Sequence, residues 1–482
     1  MADFPDRIHW QALAGPLAIP TQAFIDGRYV DAASGARFDC ISPIDGRVLG
    51  QVADCDAQDV ERAVAGARRA FDAGHWSQAS PSHRKRVLQA LAALVEKHAD
   101  ELALLETLDM GKPVRDARRV DLPGVVRCLS WTAEAVDKLY GDIAPTGPHE
   151  LGLVSREPAG VVAAIVPWNF PLLMACWKIA PALAMGNSVV LKPSERSPLS
   201  ALRLAALAAE AGLPDGVLNV LPGQGMYVGE PLALHMDVDV LAFTGSTATG
   251  AKLLQYAGRS NLKRVWLECG GKSPHLVFAD APDLDAAAKG VAQGIFFNQG
   301  EVCTAGSRLL VERSIRDDFV HQVVAYGRRM QPRHPLDADA PMGALVDAAH
   351  MDKVLADIAR AEGDGARLLL GGQRAEVEAG GCYVQPTVFD QVRPEQALAR
   401  EEVFGPVLAV LGFDSEAEAV RLAHDIRYGL AAGLWTRDPG PAHRVSRPLP
   451  ARRVSVNGRA GGDLPAPFVG SKQSGHGSDP SL

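Results

Sequence analysis

The sequence predicts an α/β protein built on a parallel sheet covered by helices on both faces. From Gly160 onward, short fully apolar runs alternate with segments of helical periodicity that end at Gly. Apolar runs without polar alternation fit strands buried on both faces, as in doubly wound sheets. The 482 residues are 47% hydrophobic and 22% charged, proportions that exclude a fibrous repeat and wholesale disorder. That length suggests roughly three domains or two large ones.

The N-terminal third reads as mostly helical after a short β prelude. Phe24 to Val30 predicts a hairpin turning at Asp26-Gly27. Leu88, Leu91, Val95, Leu102 and Leu105 fall at helical spacing, predicting one helix from Arg86 to Met110 that stops at Gly111. Strands follow at Val161 to Val166, Ser188 to Leu191, Val217 to Leu221 and Val240 to Phe243. Helices separate them at Leu172 to Met185 and Leu199 to Ala211, and another runs from Thr247 to Ala257. Ligands of such sheets sit at the carboxyl ends of the strands, where the loops 167–171 and 244–247 fall, so this region reads as nucleotide-binding. A second α/β segment starts near Gly270, with strands at His275 to Phe278 and Arg308 to Val311 around a helix from Leu284 to Phe297. Helices are expected near 317–330, 351–362 and 416–423. The last 22 residues, from Gly461, are rich in Gly, Ser and Pro and read as loop.

Several function classes drop out. The net charge of −8, without a basic stripe, argues against nucleic-acid binding. Asp3, Asp6, Arg7 and His9 precede any apolar run, so no signal peptide is expected. The longest uncharged stretch, Pro158 to Trp177, contains Pro167, Asn169 and Pro171, which argues against a membrane-spanning helix. Seven scattered cysteines without a CxxC argue against a disulfide framework or a zinc site and suit a reducing cytosol. No metal site is expected. Gly271-Lys272-Ser273 ends like a Walker A loop, but Trp266 stands where its leading Gly belongs, and neither GxSxG nor HExxH occurs.

Three local patterns carry chemistry. Phe243 to Gly250 runs from a strand into a helix whose N-terminal amides suit a phosphate, although Gly-Ser before a helix is usually only a turn and cap. Cys303 sits among Asn298, Gln299, Gly300 and Thr304, an unusual setting for an inert apolar thiol. As a nucleophile it needs thiolate character, because a free thiol has a pKa of about 8.5. Glu268 follows the hydrophobic run Val265 to Leu267; apolar neighbours would raise its pKa toward that of a general base, while the plainer reading is a solvated or paired carboxylate.

Six strings occur together in one order: Pro167-Trp168-Asn169-Phe170-Pro171, Lys192-Pro193-Ser194-Glu195, Phe243-Thr244-Gly245-Ser246-Thr247, Leu267-Glu268-Cys269-Gly270-Gly271-Lys272-Ser273-Pro274, Gln299-Gly300-Glu301-Val302-Cys303 and Glu401-Glu402-Val403-Phe404-Gly405-Pro406. With them the chain resembles the aldehyde dehydrogenase superfamily from about residue 20 to 475. Thr107 to Pro113 and Met174 to Lys178 look most like the bacterial γ-glutamyl-γ-aminobutyraldehyde dehydrogenases of polyamine breakdown. The resemblance implies an aldehyde dehydrogenase-like α/β fold: a Rossmann-type NAD-binding domain over 1–140 and 158–269, an oligomerisation hairpin over 141–157 and a catalytic domain over 270–447.

By the same resemblance, Cys303 is the nucleophile, Asn169 holds the oxyanion and Glu268 is the base that hydrolyses a thioester. Lys192 and Glu195 are expected at the adenine ribose, Ser246 and Trp168 at the pyrophosphate, and Glu402 with Phe404 at the nicotinamide ribose. Val166, Pro167, Ser194, Gly225, Phe243, Gly245, Gly250 and Cys269 complete the cofactor contacts. A carboxylate at 195 favours NAD over NADP. Trp177, Phe297 and Phe468 are expected to line the aldehyde channel, with Asp121 near its mouth to hold a distal ammonium; an ordinary surface carboxylate is the alternative there.

Departures from the family concentrate in 448–482. Pro448 and Pro450 would break an expected helix, Arg452 replaces a Gly, Val469 replaces another, and the chain stops where relatives continue into a strand that pairs with a neighbouring subunit. A homodimer is therefore expected, with a tetramer in doubt. Rival readings are a Cys-dependent hydrolase, which leaves the nucleotide-binding pattern unexplained, and a CoA-acylating dehydrogenase, which characteristically lacks the base at 268. A folded NAD-binding protein without activity is favoured only by the altered tail.

Overall fold

A computed structural model of the chain describes residues 4–449, 451–458 and 466–479. Five parallel strands, Leu218–Val220, Ser188–Lys192, Val161–Ile165, Val240–Thr244 and Arg264–Glu268, lie side by side in that order. The chain enters at the middle strand, builds outward on one side and then on the other. The order therefore reverses between the ends of Val161–Ile165 and Val240–Thr244, the switch point at which such sheets bind ligands. Val162 and Ala164 pack with Leu172, Ala175 and Ile179 of the helix Pro171–Ala184 on one face. Val161, Ala163 and Ile165 pack on the other face with residues of Ala57–Asp72 and Thr247–Arg259. Alternate side chains of one apolar strand thus serve two separate cores, which is why the run shows no polar alternation.

The edges are antiparallel. Ala23–Ile25 and Arg28–Val30 form the expected hairpin, with Asp26 and Gly27 both at positive φ, and join the sheet through Val220. A second sheet holds Thr387–Asp390, Val407–Phe413, Arg308–Glu312, Pro274–Val277, Ala431–Trp435 and Arg453–Val456 in parallel, with Arg367–Leu370 antiparallel at one edge.

Two expectations need correction and one holds. The run 86–110 is two helices, Pro81–Lys97 and Ala99–Met110, because His98 leaves helical geometry (φ −100°, ψ 20°). The apolar spacing continues across the break, so periodicity alone does not reveal it. As the prolines imply, the helix Pro439–Ser446 stops before Pro448, while Pro450 lies outside the described residues; Arg453–Val456, with Arg452 before it, pairs with its neighbour. The tail after 461 is not all loop: Ser471–Lys472 pairs with Tyr428–Gly429, and Gly475–His476 adds to Leu267–Glu268.

Asp142–Ala144 and Gly152–Val154 form a hairpin that pairs with no other strand among the described residues. Tyr140, Ile143, Leu151 and Leu153 are exposed on it. Among the described residues no helix is long and apolar enough to cross a membrane, and no group of three or more His, Cys, Asp or Glu is arranged to hold a metal ion.

Candidate active site

A cavity of about 1050 Å³ lies between the carboxyl ends of the first sheet and the amino ends of strands Pro274–Val277 and Ala431–Trp435 in the second. Cys303, Glu268 and Asn169, far apart in sequence, all line it. Cys303 is partly exposed, whereas the other six cysteines are buried.

A strained turn delivers the thiol. Asn298 (φ 49°), Gln299 (φ 57°) and Gly300 (φ 73°) are consecutive left-handed residues, a conformation that Asn and Gly tolerate best. A Cβ at 300 would sit 2.2 Å from the Gly405 carbonyl oxygen, so only Gly fits. The Asn298 amide donates to the Asn169 carbonyl (3.1 Å) and the Glu301 carbonyl (3.2 Å), and the Asn169 amide donates to the Glu301 carbonyl (2.8 Å). An amide nitrogen carries two hydrogens, so Asn169 keeps one to offer the cavity. Although Cys303 is partly exposed to the cavity, its sulfur is packed among protein atoms, and that desolvation, reinforced by the carboxyls of Glu402 and Glu268, pushes the thiol up to about 12.

Glu268 ends the strand Arg264–Glu268 and is buried, with the Lys178 ammonium and the Gly470 backbone amide as the groups that favour its anion. Burial first, and then the Asp479 carboxylate, push its pKa to about 9, against the opposing pull of Lys178. Both groups are therefore protonated at neutral pH in the free protein. Lys178 and Asp479 form a buried ion pair that adjoins this carboxyl.

A groove leads from the thiol along the strand ends. Pro167, Trp168, Gly245, Ser246, Cys269, Glu402 and Phe404 share the cavity wall. Ser246 caps the helix Thr247–Arg259 by accepting from the Thr249 amide (3.2 Å), and the neighbouring Thr244 hydroxyl is buried without a partner among the described residues. A helix N-terminus beside an unsatisfied hydroxyl suits a phosphate group. Phe404 stacks edge-on to Trp168 at 5.2 Å, and Glu402 accepts from the Gly271 amide (2.8 Å). Burial pushes the Glu402 carboxyl to about 7.

Other expected contacts lie along the same carboxyl edge but outside the cavity wall. Lys192 reaches Glu195 at 3.0 Å, Val166 donates to the Lys192 carbonyl (3.1 Å), and the Ser194 hydroxyl accepts from the Arg196 amide (3.2 Å). Gly225 opens a π turn, Gly225–Gly229, beyond the strand Leu218–Val220. Phe243 lies under Gly245, where a Cβ would meet its ring at 2.5 Å. Gly250 lets its helix approach the Cys269 sulfur, which a Cβ would meet at 2.9 Å.

The family model described as "Aldehyde dehydrogenase family" matches residues 29–481. The chain belongs to the aldehyde dehydrogenase family. The dehydrogenase is 54% identical over 480 residues to the NADP/NAD-dependent aldehyde dehydrogenase PuuC of Escherichia coli, covering 100% of this chain and 96% of the relative. Two solved structures superpose with a TM-score of 0.98, each alignment covering 99% of this chain and 97% of the other. One is an indole-3-acetaldehyde dehydrogenase in complex with NAD+, 59% identical; the other is the γ-glutamyl-γ-aminobutyraldehyde dehydrogenase of Burkholderia cenocepacia, 57% identical. The dehydrogenase is thus an oxidoreductase acting on aldehydes, with the aldehyde dehydrogenase-like fold that its motifs implied.

One expected substrate residue of the dehydrogenase is misplaced. Trp177 and Phe468 line the cavity with ring centroids 5.5 Å apart, and Phe297 stacks on Phe170 at 6.4 Å. Asp121 does not join them. It is buried and paired with Lys112, whose ammonium lies 4.2 Å from the Phe170 centroid. The π turn Ala117–Asp121 explains the difference: its wider turn changes the helical phase, so Val120 faces the cavity and Asp121 the interior.

Sequence reasoning also missed Asn298, Lys178 and Asp479. Asn298 lay inside a segment already singled out, and a short polar residue before Gln-Gly was a usable sign of a left-handed turn. Asp479 lay in the presumed loop and gave no local signal.

Proposed function

We propose that the dehydrogenase oxidises an aldehyde to its carboxylate with NAD as hydride acceptor, Cys303 serving as nucleophile and Glu268 as general base. One observation carries the reading: the sole cysteine of seven that is not buried shares its cavity with the buried Glu268 carboxyl, whose pKa burial raises. Cys303 first loses its proton to solvent in the cavity, because the thiolate is the attacking species. Sγ bonds to the aldehyde carbon and the carbonyl oxygen becomes an oxyanion. The remaining Asn169 N–H and the Cys303 amide stabilise that charge, and losing one such donor typically costs about 10²–10³ in rate. Bound NAD supplies the two-electron acceptor that turns the thiohemiacetal into a thioester. Glu268 then takes a proton from water, hydroxide attacks the thioester, and Cys303 leaves as thiolate while the carboxylate departs.

The unsatisfied Thr244 hydroxyl and the capped helix fit the pyrophosphate of a dinucleotide, which Ser246 and Trp168 would hold. Lys192 and Glu195 would receive the adenine ribose, and Glu402 the nicotinamide ribose with Phe404 beside it. The Glu195 carboxylate favours NAD over NADP by repelling a 2′-phosphate. Trp177, Phe297 and Phe468 suit an aliphatic chain, and similarity to a γ-glutamyl-γ-aminobutyraldehyde dehydrogenase supports an aldehyde of that type as substrate. The exposed apolar hairpin supports a homo-oligomer, at least a dimer.

Stoichiometric NADH formation from an aldehyde, unchanged by added CoA, tests the reaction. Cys303→Ala abolishes turnover while NAD binding persists; retained turnover would remove Cys303 as nucleophile. Glu268→Gln gives a burst of NADH followed by a stalled thioester, because hydride transfer precedes hydrolysis. Loss of the burst itself would place Glu268 in an earlier step.

A further inference from the structure

The aldehyde end of the cavity carries arginines where the sequence suggested a carboxylate. Helices Leu122–Ala135 and Pro171–Ala184 run side by side in parallel: a Cβ at Gly124 would sit 3.1 Å from the Leu173 side chain, and the Cys128 thiol lies 3.6 Å from the Cys176 carbonyl. That register sets Arg127 level with Trp177, and both line the cavity. The Trp177 ring packs on Phe468, and the Arg453 guanidinium lies over Phe468 at 5.9 Å. One aromatic wall is thus flanked by Arg127 and Arg453.

The acidic groups nearby are occupied. Asp121 is turned inward onto Lys112, and Asp479 is paired with Lys178. Arg127 is exposed and has no hydrogen-bond or ion-pair partner among the described residues. A guanidinium offers a fork of N–H donors that matches a carboxylate, whereas it repels an ammonium.

We propose that Arg127 is a specificity-determining residue that receives a carboxylate at the far end of the aldehyde. The preferred substrates are then aldehydes with an anionic tail, and ammonium-tailed aldehydes of the same length are disfavoured. The proposal rests on the aldehyde-oxidising role of Cys303. It accommodates γ-glutamyl-γ-aminobutyraldehyde through the α-carboxylate of its glutamyl group.

The test measures kcat/KM by NADH formation with the full chain on three aldehydes of similar length: 5-oxopentanoate, pentanal and 4-aminobutyraldehyde. Arg127→Gln lowers the 5-oxopentanoate-to-pentanal ratio about tenfold, mainly through KM, as expected for one charge-assisted hydrogen bond. Arg127→Lys keeps most of the ratio by retaining the charge. Salt lowers the wild-type ratio and leaves that of Arg127→Gln flat. A ratio unmoved by Arg127→Gln, with pentanal still oxidised, overturns the proposal and spares the reading of Cys303. Oxidation of none of the three aldehydes overturns both.

Discussion

The Asn298 side chain donates to the Asn169 backbone carbonyl at 3.1 Å, tying the turn that carries Cys303 to the loop that carries Asn169. The same amide bonds the Glu301 carbonyl, which also accepts from the Asn169 side chain. The Cys303 turn and the Asn169 loop, the proposed nucleophile and oxyanion donor, are therefore held in register through one buried residue.

Replacing that residue by glycine separates its two roles. Asn298→Gly keeps a backbone that tolerates φ 49° but removes both donors. Activity should fall about 10²-fold, as for a misplaced oxyanion donor, while stability falls by about 1–3 kcal/mol. Steady-state kinetics beside thermal melting read the two effects. Full activity in this variant would mean that Asn298 supplies only the turn conformation.

The pH profile follows from the two raised pKa values. Cys303 (about 12) and Glu268 (about 9) are protonated at pH 7 in the free protein, and the proposed mechanism uses both deprotonated. The basic forms grow as pH rises, so kcat/KM, which reports Cys303 in the steps up to hydride transfer, and kcat, which also includes hydrolysis by Glu268, should both increase from pH 6 to 9. A plateau reached below pH 7 would contradict the burial that sets these values.

Asp479→Asn alters that profile in a defined direction. The Asp479 carboxylate raises the Glu268 pKa and Lys178 lowers it, so removing the anion shifts the base toward acid. The deacylation limb should move to lower pH by about one unit, a change worth about 1.4 kcal/mol. Breaking the buried pair also leaves Lys178 unpaired, at a cost of about 3–5 kcal/mol in stability. A lower melting temperature with an unmoved pH profile would confine Asp479 to a structural role.

Cofactor choice is tested at the partner of Lys192. Glu195→Ser removes the carboxylate that sits 3.0 Å from the Lys192 ammonium and frees that charge for a 2′-phosphate. The kcat/KM for NADP relative to NAD should rise by about tenfold or more. An unchanged ratio would place the adenine ribose elsewhere.

Assembly is tested on the isolated hairpin. Ile143 and Leu153 face each other across its two strands and both are exposed, an arrangement that a two-stranded ribbon does not sustain in water without a partner surface. The double substitution Ile143→Ser and Leu153→Ser should reduce the oligomer measured by light scattering after gel filtration. An unchanged mass would exclude the hairpin from the interface.

The chain itself determined the α/β rhythm, the N-terminal hairpin, the family and the motif strings that hold Cys303, Glu268 and Asn169. Those are local matters: apolar spacing, turn chemistry and short strings are written over a few consecutive residues. Tertiary structure alone decided that Asp121 turns inward to Lys112, because a π turn changes helical phase without a composition signal. It alone brought Asp479 to Lys178 across 301 residues and Asn298 to Asn169 across 129. Such pairs depend on how two sheets and their helices pack, and no periodicity in either segment encodes its partner. The raised pKa values of Glu268 and Cys303 belong to the same class, since burial in a shared cavity is a property of the folded chain.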